Sequence, residues 1–374
     1  MTDLRLPLRP ELAGLSPYGA PQLDVPVRLN VNENPWAPSD ELVDDIARSV
    51  ARAASGLNRY PDRDFLELRG ELARYLADES GVSVPPEHVW AANGSNEVMT
   101  QILQAFAGTS RTVVSCAPTY SMYHEYARDT CSRWVTCDRH EDFSIDLDAL
   151  RDLLETEHPA VVLLASPNNP TGTALSLDDI RSLADDTRFS GPVGPDGQPT
   201  ASLLVIDEAY AEFRRAGTSS ALELVEHYPH VVVSRTMSKA FGMAGLRLGY
   251  MVACQDVIDA IMLVRLPYHL SAITQAAALA ALRHRESLMQ QVADLRDSRD
   301  ALAHWLESRG LQVAQSDANF IFFGRFDNRQ DIFDKLLERG VLIRVVGPDG
   351  WLRVSVGTPE ENQQFMTALE EVLS

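Results

Sequence analysis

Short runs of apolar residues recur along the middle of the chain, and most of them are continuous rather than alternating with polar positions. Such runs predict strands that are buried on both faces, as in a parallel sheet. Stretches with helical periodicity separate several of them, at 96–107, 120–128, 146–156 and 177–185. The pattern predicts an α/β fold in which helices cover a mainly parallel sheet. The seven runs are HVWAA (88–92), RTVVSCA (111–117), RWVTC (133–137), VVLLA (161–165), SLLVI (202–206), HVVVS (230–234) and LGYMVA (248–253).

The segments before these runs have a different character. The first 30 residues are irregular and rich in proline, which predicts an arm that lies over the body of the protein. Residues 39–54 and 64–79 are predicted to form amphipathic helices. Ser39 is suited to cap the first of them, with an apolar face formed by Leu42, Val43, Ile46 and Val50. We therefore expect an N-terminal arm over 1–34, packed on the small domain or a partner subunit, and a large domain over 35–269.

The pattern changes again after about residue 270. A long helical stretch is predicted to about 308, followed by a strand at 318–324 and a helix at 331–339. Two further strands, 341–346 and 351–357, precede a last helix at 359–373. This order predicts a smaller α+β domain over 270–374. Residues 189–201, rich in glycine and proline, are expected to form a surface insertion.

Composition and charge disfavour several classes of function. The chain has 374 residues and a formal net charge of −20, which disfavours binding to nucleic acid or to an anionic membrane surface. There is no apolar run of membrane-spanning length and no apolar core typical of a signal peptide in MTDLRLPLRPEL. The four cysteines are too few for a disulfide framework, and no pair has zinc-ligand spacing, so no metal is expected. A cytoplasmic location is the expectation.

Candidate chemistry follows the predicted strands, because open α/β sheets bind ligands at the carboxyl ends of their strands. Ser95 and Asn96 open a helix after a glycine, which suits a phosphate group. Asn169 lies in a stiff SPNNPTG turn, Asp207 ends a buried run, and Lys239 follows Ser238 after another. Taken singly, the helix start and the lysine are better explained as an ordinary capped helix and a surface charge, and Asp207 is explained equally well as a helix cap. The SPNNPTG segment is more specific than an ordinary turn. Together they supply what pyridoxal phosphate requires.

The sequence as a whole resembles a known family. It is similar to the fold-type I aminotransferases and, among them, to the histidinol-phosphate aminotransferases, particularly the actinobacterial form. The resemblance covers nearly the whole chain. The motifs that carry it are SPYGAPQ (16–22), LNVNENP (29–35), RYPD (59–62), NGSNE (93–97), SPNNPTG (166–172), VIDEAY (205–210), RTMSKAFGMAGLRLGY (235–250) and LRVSVG (352–357).

The resemblance implies pyridoxal 5'-phosphate as cofactor and assigns catalytic roles. Lys239 would bond covalently to the cofactor and then move the proton at the substrate α-carbon. Asp207 would pair with the ring nitrogen, and Asn169 and Tyr210 would donate to the ring oxygen. Tyr120 would stack on the ring.

Further residues are implied to bind phosphate groups and the substrate. The resemblance implies a homodimer with shared active sites. The cofactor phosphate would be held by a set of residues on the large domain and by a tyrosine from the other subunit. The large-domain set is Ser95, Asn96, Thr236, Ser238 and Arg247, and the tyrosine is Tyr60. The substrate would be bound by Arg353, with Arg344 and Tyr18 as helpers at its phosphate and with Asn32 and Glu33 near its imidazole.

The implied reaction converts imidazole-acetol phosphate and L-glutamate into L-histidinol phosphate and 2-oxoglutarate by a ping-pong mechanism, in histidine biosynthesis. An aromatic amino-acid aminotransferase on the same scaffold is the nearest alternative. A decarboxylase of a phosphorylated amino acid is a second alternative. A ligand-sensing regulator would need a DNA-binding module, for which the irregular N-terminus has no room. A dehydrogenase is disfavoured because no G-x-G-x-x-G follows an early strand.

Overall fold

The computed structural model describes residues 6–374, and its largest sheet contains the seven predicted strands. The spatial order is β2-β8-β7-β6-β5-β3-β4. Only β8 runs antiparallel to its neighbours, and the other contacts in the sheet are parallel. The strands are β2 (Val89–Ala92), β3 (Thr112–Ala117), β4 (Arg133–Asp138), β5 (Val161–Ala165), β6 (Leu203–Asp207), β7 (Val231–Thr236) and β8 (Gly249–Val252).

Helices cover this sheet, and several begin at a side chain that caps the free backbone N–H groups of the first turn. Ser39, Asp146 and Ser176 each accept a hydrogen bond from the backbone three residues later. These helices and the sheet enclose one large apolar core. The helices are α1 (Asp40–Ala54), α2 (Leu66–Ser80), α3 (Ser95–Phe106), α4 (Met122–Asp129), α5 (Leu147–Glu157), α6 (Leu177–Asp186), α7 (Leu222–Val225) and α8 (Gln255–Val264).

The C-terminal part of the chain builds a second, four-stranded antiparallel sheet in the order β12-β13-β10-β9. Its core is a separate apolar cluster that includes Ile321, Phe323 and Phe365. The N-terminal segment contributes β1 (Val27–Arg28), which pairs in parallel with β11 (Val341–Leu342) beside this sheet. The remaining elements are α9 (Ala272–Arg283), α10 (Arg285–Ser308), β9 (Gln312–Val313), β10 (Phe320–Gly324), α11 (Arg329–Glu338), β12 (Arg344–Val345), β13 (Leu352–Ser355) and α12 (Pro359–Leu373).

Two local predictions were wrong. The predicted apolar face of α1 included Val43, which is 48% exposed, whereas the helix buries Leu42 and Ser49 against the body of the protein. The long helical stretch after 270 consists of two helices, because the chain turns at His284 (φ −100°, ψ 16°) between α9 and α10.

The glycine- and proline-rich segment 189–201 has no helix or strand of its own, and Phe189 and Val193 are exposed there, as expected of a surface insertion. Within residues 6–374, none of the helices combines the length and the apolar character needed to cross a membrane.

Candidate active site

A cavity of about 320 Å³ opens where the carboxyl ends of β5, β6 and β7 meet the start of α3 and the sheet edge formed by β12 and β13. Every residue predicted for the site lines this cavity except Tyr60. The structure therefore brings together the lysine, the carboxylate, the amide and the arginines that the sequence placed in separate loops. The lining residues from the prediction are Tyr18, Asn32, Glu33, Ser95, Asn96, Tyr120, Asn169, Asp207, Tyr210, Thr236, Ser238, Lys239, Arg247, Arg344 and Arg353.

Lys239 supplies the amine of the cavity. Its Nζ donates to the backbone carbonyl of Val31 at 2.9 Å. Burial, and after it the nearby charge of Arg353, lowers the pKa of Lys239 to about 8. The amine is therefore far more often neutral, and nucleophilic, than an ordinary lysine at the same pH. The chain has only one other lysine, Lys335, which lies on α11 in an ion pair with Asp331.

Asp207 ends β6 with its carboxylate buried in the floor of the cavity. It accepts hydrogen bonds from Tyr123 Oη and Ser234 Oγ, both at 2.8 Å. Burial raises the pKa of Asp207, and these two hydrogen bonds oppose the rise. Among residues 6–374 no arginine, lysine or histidine forms a salt bridge with Asp207. A buried carboxylate held by neutral donors is suited to receive a cationic group from a ligand.

Tyr210 and two asparagines form a connected group beside Asp207. The Tyr210 hydroxyl accepts from Asn32 Nδ2 at 3.0 Å and faces Asn169 Nδ2 at 3.5 Å. Asn32 is fixed in turn, because Ser355 Oγ donates to its side-chain oxygen at 3.0 Å. The hydroxyl and the amide thus lie together in the cavity, which is the arrangement needed for two donors to one oxygen of a ligand.

The start of α3 forms one end of the cavity. The backbone N–H groups of Ser95 and Asn96 have no backbone acceptor, as is usual in the first turn of a helix. Arg247 lies beside them and donates to Ser238 Oγ at 3.3 Å. A Cβ on Gly249 would lie 2.1 Å from the Ser95 nitrogen, so glycine is required for this close approach of β8 to α3. Free N–H groups, a hydroxyl and a guanidinium at a helix start form an anion site.

Arg353 and Arg344 form a second cationic region on the other side of the cavity. They are direct partners in the antiparallel pairing of β12 with β13. Arg353 donates from Nη2 to the carbonyl of Asn30 at 2.8 Å and from Nη1 to Asn169 Oδ1, while its buried Nε has no hydrogen-bond partner among residues 6–374. Neither arginine forms a salt bridge within the described part of the chain. Two opposed arginines without a carboxylate favour an anionic ligand.

Residues of the N-terminal segment and of the loop after β3 form the mouth of the cavity. Ser121 Oγ donates to the Tyr18 hydroxyl at 2.9 Å, which fastens the arm to the large domain. Tyr120 lies below this contact and packs edge-on against Tyr123, with ring centroids 5.6 Å apart. Glu33 lines the same opening and is exposed.

Tyr60 does not reach the cavity of its own chain. It is 79% exposed and stacks on Tyr268, with ring centroids 4.4 Å apart and an interplanar angle of 14°. A contact of Tyr60 with a cofactor would therefore have to come from another subunit, and that role stays a prediction.

An ion cluster centred on the fully buried Arg235 lies behind the cavity and connects the segment after β6 with β7. Arg235 contacts Glu208 at 2.7 Å, Glu79 at 3.0 Å and Glu212 at 3.3 Å. Arg214 pairs with Glu79 from the outer side at 2.9 Å. Because Glu208 follows Asp207 and Arg235 follows Ser234 in the sequence, the cluster fixes the two strand ends that carry the acid and its donor.

Sequence reasoning missed Tyr123 and Ser234, the two donors to Asp207. A signal for each was present. Tyr123 lies one helical turn after Tyr120, and Ser234 is the residue of β7 that pairs with Asp207 in the parallel register. Metal binding finds no support in the described residues, which contain no cluster of three or more histidine, cysteine, aspartate or glutamate side chains able to hold an ion.

Comparison with known proteins identifies the class. The family model described as aminotransferase class I and II matches residues 25–369, so the chain belongs to that family. The seven-stranded fold with its smaller α+β part, predicted from the sequence, is confirmed by solved structures of this class. One of these is the crystal structure of histidinol-phosphate aminotransferase from Sinorhizobium meliloti in complex with pyridoxal-5'-phosphate. It matches with a TM-score of 0.84 at 25% identity, covering 100% of this chain and 99% of that one.

Within the class, the chain is a member of the histidinol-phosphate aminotransferase family. It is 53% identical over 374 residues to histidinol-phosphate aminotransferase of Bifidobacterium longum, covering 98% of this chain and 97% of that protein. It is 54% identical over 364 residues to the protein of the same name from Thermobifida fusca, covering 97% and 95% respectively.

Proposed function

We propose that this chain is a pyridoxal-phosphate-dependent aminotransferase. It reversibly converts imidazole-acetol phosphate and L-glutamate into L-histidinol phosphate and 2-oxoglutarate. The observation that carries the proposal is the pair Arg353 and Arg344, which face the same cavity as Lys239. Two arginines can balance both charges of a phosphate dianion, and each can donate to it in bidentate fashion. Amino-group transfer to a phosphorylated substrate in histidine biosynthesis follows from these features and from the family.

The residues present fit the cofactor at both ends. Asp207 is a buried carboxylate without a cation of its own, which suits a protonated ring nitrogen. The free N–H groups of Ser95 and Asn96, with Ser238 and Arg247, suit the cofactor phosphate. When bound, pyridoxal phosphate supplies the electron sink for the bond that breaks at the substrate α-carbon. The protein has to hold that ring, exclude water and move one proton.

Lys239 is the residue that moves the proton. Its lowered pKa keeps a useful fraction of the amine free to accept a proton near neutral pH. The carbonyl of Val31 orients Nζ at 2.9 Å, and the positive charge of Arg353 disfavours the protonated form. Asn169 and Tyr210 hold their donors in fixed positions beside the amine.

The test is a comparison of kcat/KM for L-histidinol phosphate, L-histidinol, L-histidine and L-phenylalanine as amino donors. A site built for a charged group penalises an analogue that lacks it, by roughly 10⁴-fold in favourable cases, because the donors stay unpaired. Histidinol should therefore be a very poor substrate. Equal values for phenylalanine and histidinol phosphate would favour an aromatic amino-acid aminotransferase instead.

The same proposal includes a homodimer in which Tyr60 reaches the cofactor phosphate of the partner. Its support is the exposure of Tyr60 beside a strongly exposed apolar surface at the end of α8, where Leu263 is 86% and Leu266 is 71% exposed. Apolar surface of this kind is typical of subunit interfaces.

Subunit complementation tests the shared site. Tyr60→Phe and Lys239→Ala proteins are mixed, unfolded and refolded, and assayed at limiting cofactor. If Tyr60 acts on the partner, a hybrid dimer has one site with both changes and one intact site, and activity rises above that of both parents. Activity no higher than the mean of the parents contradicts the shared site.

A cytoplasmic location completes the proposal. It is supported by four free cysteines, of which Cys131 is exposed, since secreted proteins rarely leave such thiols unpaired.

A further inference from the structure

Two cysteines lie opposite each other on neighbouring strands of the large sheet. Cys116 of β3 and Cys137 of β4 are direct partners in the parallel register, so both side chains point to the same face. Their sulfur atoms are 2.9 Å apart. Neighbouring strands are spaced about 4.8 Å apart, and disulfides join Cα atoms roughly 4.4–6.8 Å apart. The strands therefore need not separate for the two sulfurs to become bonded.

A half-buried arginine, Arg139, supplies positive charge at this pair. Arg139 donates from Nε to the carbonyl of Cys116 at 3.3 Å and from Nη1 to the carbonyl of Phe143 at 3.1 Å. Its buried Nη2 has no hydrogen-bond partner, and no carboxylate pairs with it among residues 6–374. The guanidinium therefore has no anion of its own and favours a thiolate at either sulfur.

The two thiols are not equivalent. The hydrogen bond between the two thiols lowers the pKa of Cys137, while the same bond and burial raise the pKa of Cys116. Cys116 is completely buried, whereas Cys137 is 8% exposed and lies on β4, the edge strand of the sheet. Cys137 is thus the attacking thiolate and the first sulfur that a reagent meets, and Cys116 is the resolving thiol.

We propose that Cys116 and Cys137 form a thiol–disulfide exchange site that reacts with low-molecular-weight disulfides. The Cys137 thiolate attacks one sulfur of the small disulfide, forms a mixed disulfide and releases one thiol. The Cys116 sulfur then attacks Cys137 Sγ, breaks the mixed disulfide and releases the second thiol. The two protein thiols lose two electrons and two protons, and the small disulfide gains both as two thiols.

This site goes beyond the proposed transaminase function and uses none of the residues that line the cavity. Cysteine pairs that form reversible disulfides in a reducing compartment are generally redox-sensing or catalytic rather than structural. The crosslink would join the edge strand to β3, from which the chain continues to Tyr120 at the mouth of the active site.

The experiment is incubation of the holoenzyme with oxidised glutathione, followed by mass spectrometry of the intact protein and of its non-reduced peptides. We expect an internal crosslink between Cys116 and Cys137 that reduced glutathione reverses. Cys131→Ser is the matched control, because Cys131 is exposed and lies outside the pair, and this variant should form the same crosslink. Glutathione on Cys131 alone, with both sulfurs of the pair still free, overturns the proposal.

Two variants test the order of events. Cys116→Ser should stop at a stable glutathione adduct on Cys137, because no resolving thiol remains. Cys137→Ser should leave Cys116 unmodified, because Cys116 is buried and meets no reagent directly. An adduct on Cys116 in the Cys137→Ser protein, or no adduct on Cys137 in a folded Cys116→Ser protein, contradicts the assignment. Circular dichroism and cofactor absorbance establish that each variant is folded.

Discussion

Replacement of Arg353 by lysine separates the charge of this residue from its geometry. The guanidinium is fastened by Asn169 and by the carbonyl of Asn30, and its buried Nε is left for a ligand. Lysine keeps the charge but presents a compact ammonium in place of the planar guanidinium fork, so it cannot hold both fastening contacts and offer a bidentate edge to a ligand at the same time. The change removes the bidentate pair of charge-assisted hydrogen bonds that a guanidinium can donate to a phosphate.

The magnitude follows from these contacts. A hydrogen bond to a charged group is worth about 1.5–3 kcal/mol, so two at the lower end amount to roughly 3 kcal/mol. That loss predicts a fall of about 10²-fold in kcat/KM for L-histidinol phosphate. For L-histidinol, which has no phosphate, the fall should be small, because only the orientation of Asn169 is disturbed.

Steady-state kinetics with both substrates is the assay, and Arg344→Lys is the matched control. Arg344 makes no salt bridge within residues 6–374 and is half-buried, so a lysine there keeps its charge and its solvation. We expect a loss of less than about fivefold for that control. If Arg353→Lys lowers kcat/KM by the same factor for histidinol phosphate and for histidinol, the residue does not recognise the phosphate.

Four further outcomes are expected. Lys239→Ala should still bind the cofactor but lose the absorbance of the covalent form and multiple turnover; borohydride labelling of Lys335 instead would contradict the assignment. In the apoenzyme, the rate at which an amine reagent modifies Lys239 should rise with pH through a midpoint near 8, because burial lowers the pKa of Lys239 to about 8. A modification rate that is independent of pH between 6 and 10 would contradict this pKa. Asp207→Asn should lower kcat by about 10²–10³-fold, since it removes the buried charge and keeps the shape; near-normal turnover excludes the role. Arg235→Met leaves buried carboxylates such as Glu208 unpaired and should lower the free energy of unfolding by about 3–5 kcal/mol, as measured by urea titration. A loss below about 1 kcal/mol would show that the ion cluster contributes little to stability.

Six of the seven strands of the large sheet could be predicted because they are buried on both faces, so their apolar runs are uninterrupted, whereas the edge strand β4 is only partly buried. The site residues could be placed together because the carboxyl ends of parallel strands share one edge of a sheet. The position of β8 between β2 and β7 could not be predicted, since periodicity gives no information about which strands pair. Nor could the antiparallel direction of β8.

The errors have local causes. Val43 was expected inside because it fits the apolar pattern of α1, but the buried face of a helix depends on its neighbour, which here is α9. The turn at His284 has neither proline nor glycine to mark it, and Arg283 and Arg285 are good helix formers. The donors Tyr123 and Ser234 were missed because their signals, the spacing of Tyr123 from Tyr120 and the register of Ser234 with Asp207, identify the partner only once the pairing of the strands is known.

The antiparallel direction of β8 has a consequence for movement within the enzyme. Lys239 and Arg247 lie on one short connection between β7 and β8, two strands hydrogen-bonded to each other in the large sheet. The distance between the amine of Lys239 and the guanidinium that we propose binds the cofactor phosphate is therefore set within a single hairpin. Arg353 and Arg344 belong to the other sheet. A displacement of one sheet relative to the other would change the distance from Arg353 and Arg344 to Lys239 but leave the hairpin unaltered. The substrate site can therefore open for product release while the residues proposed to hold the cofactor keep their positions relative to one another.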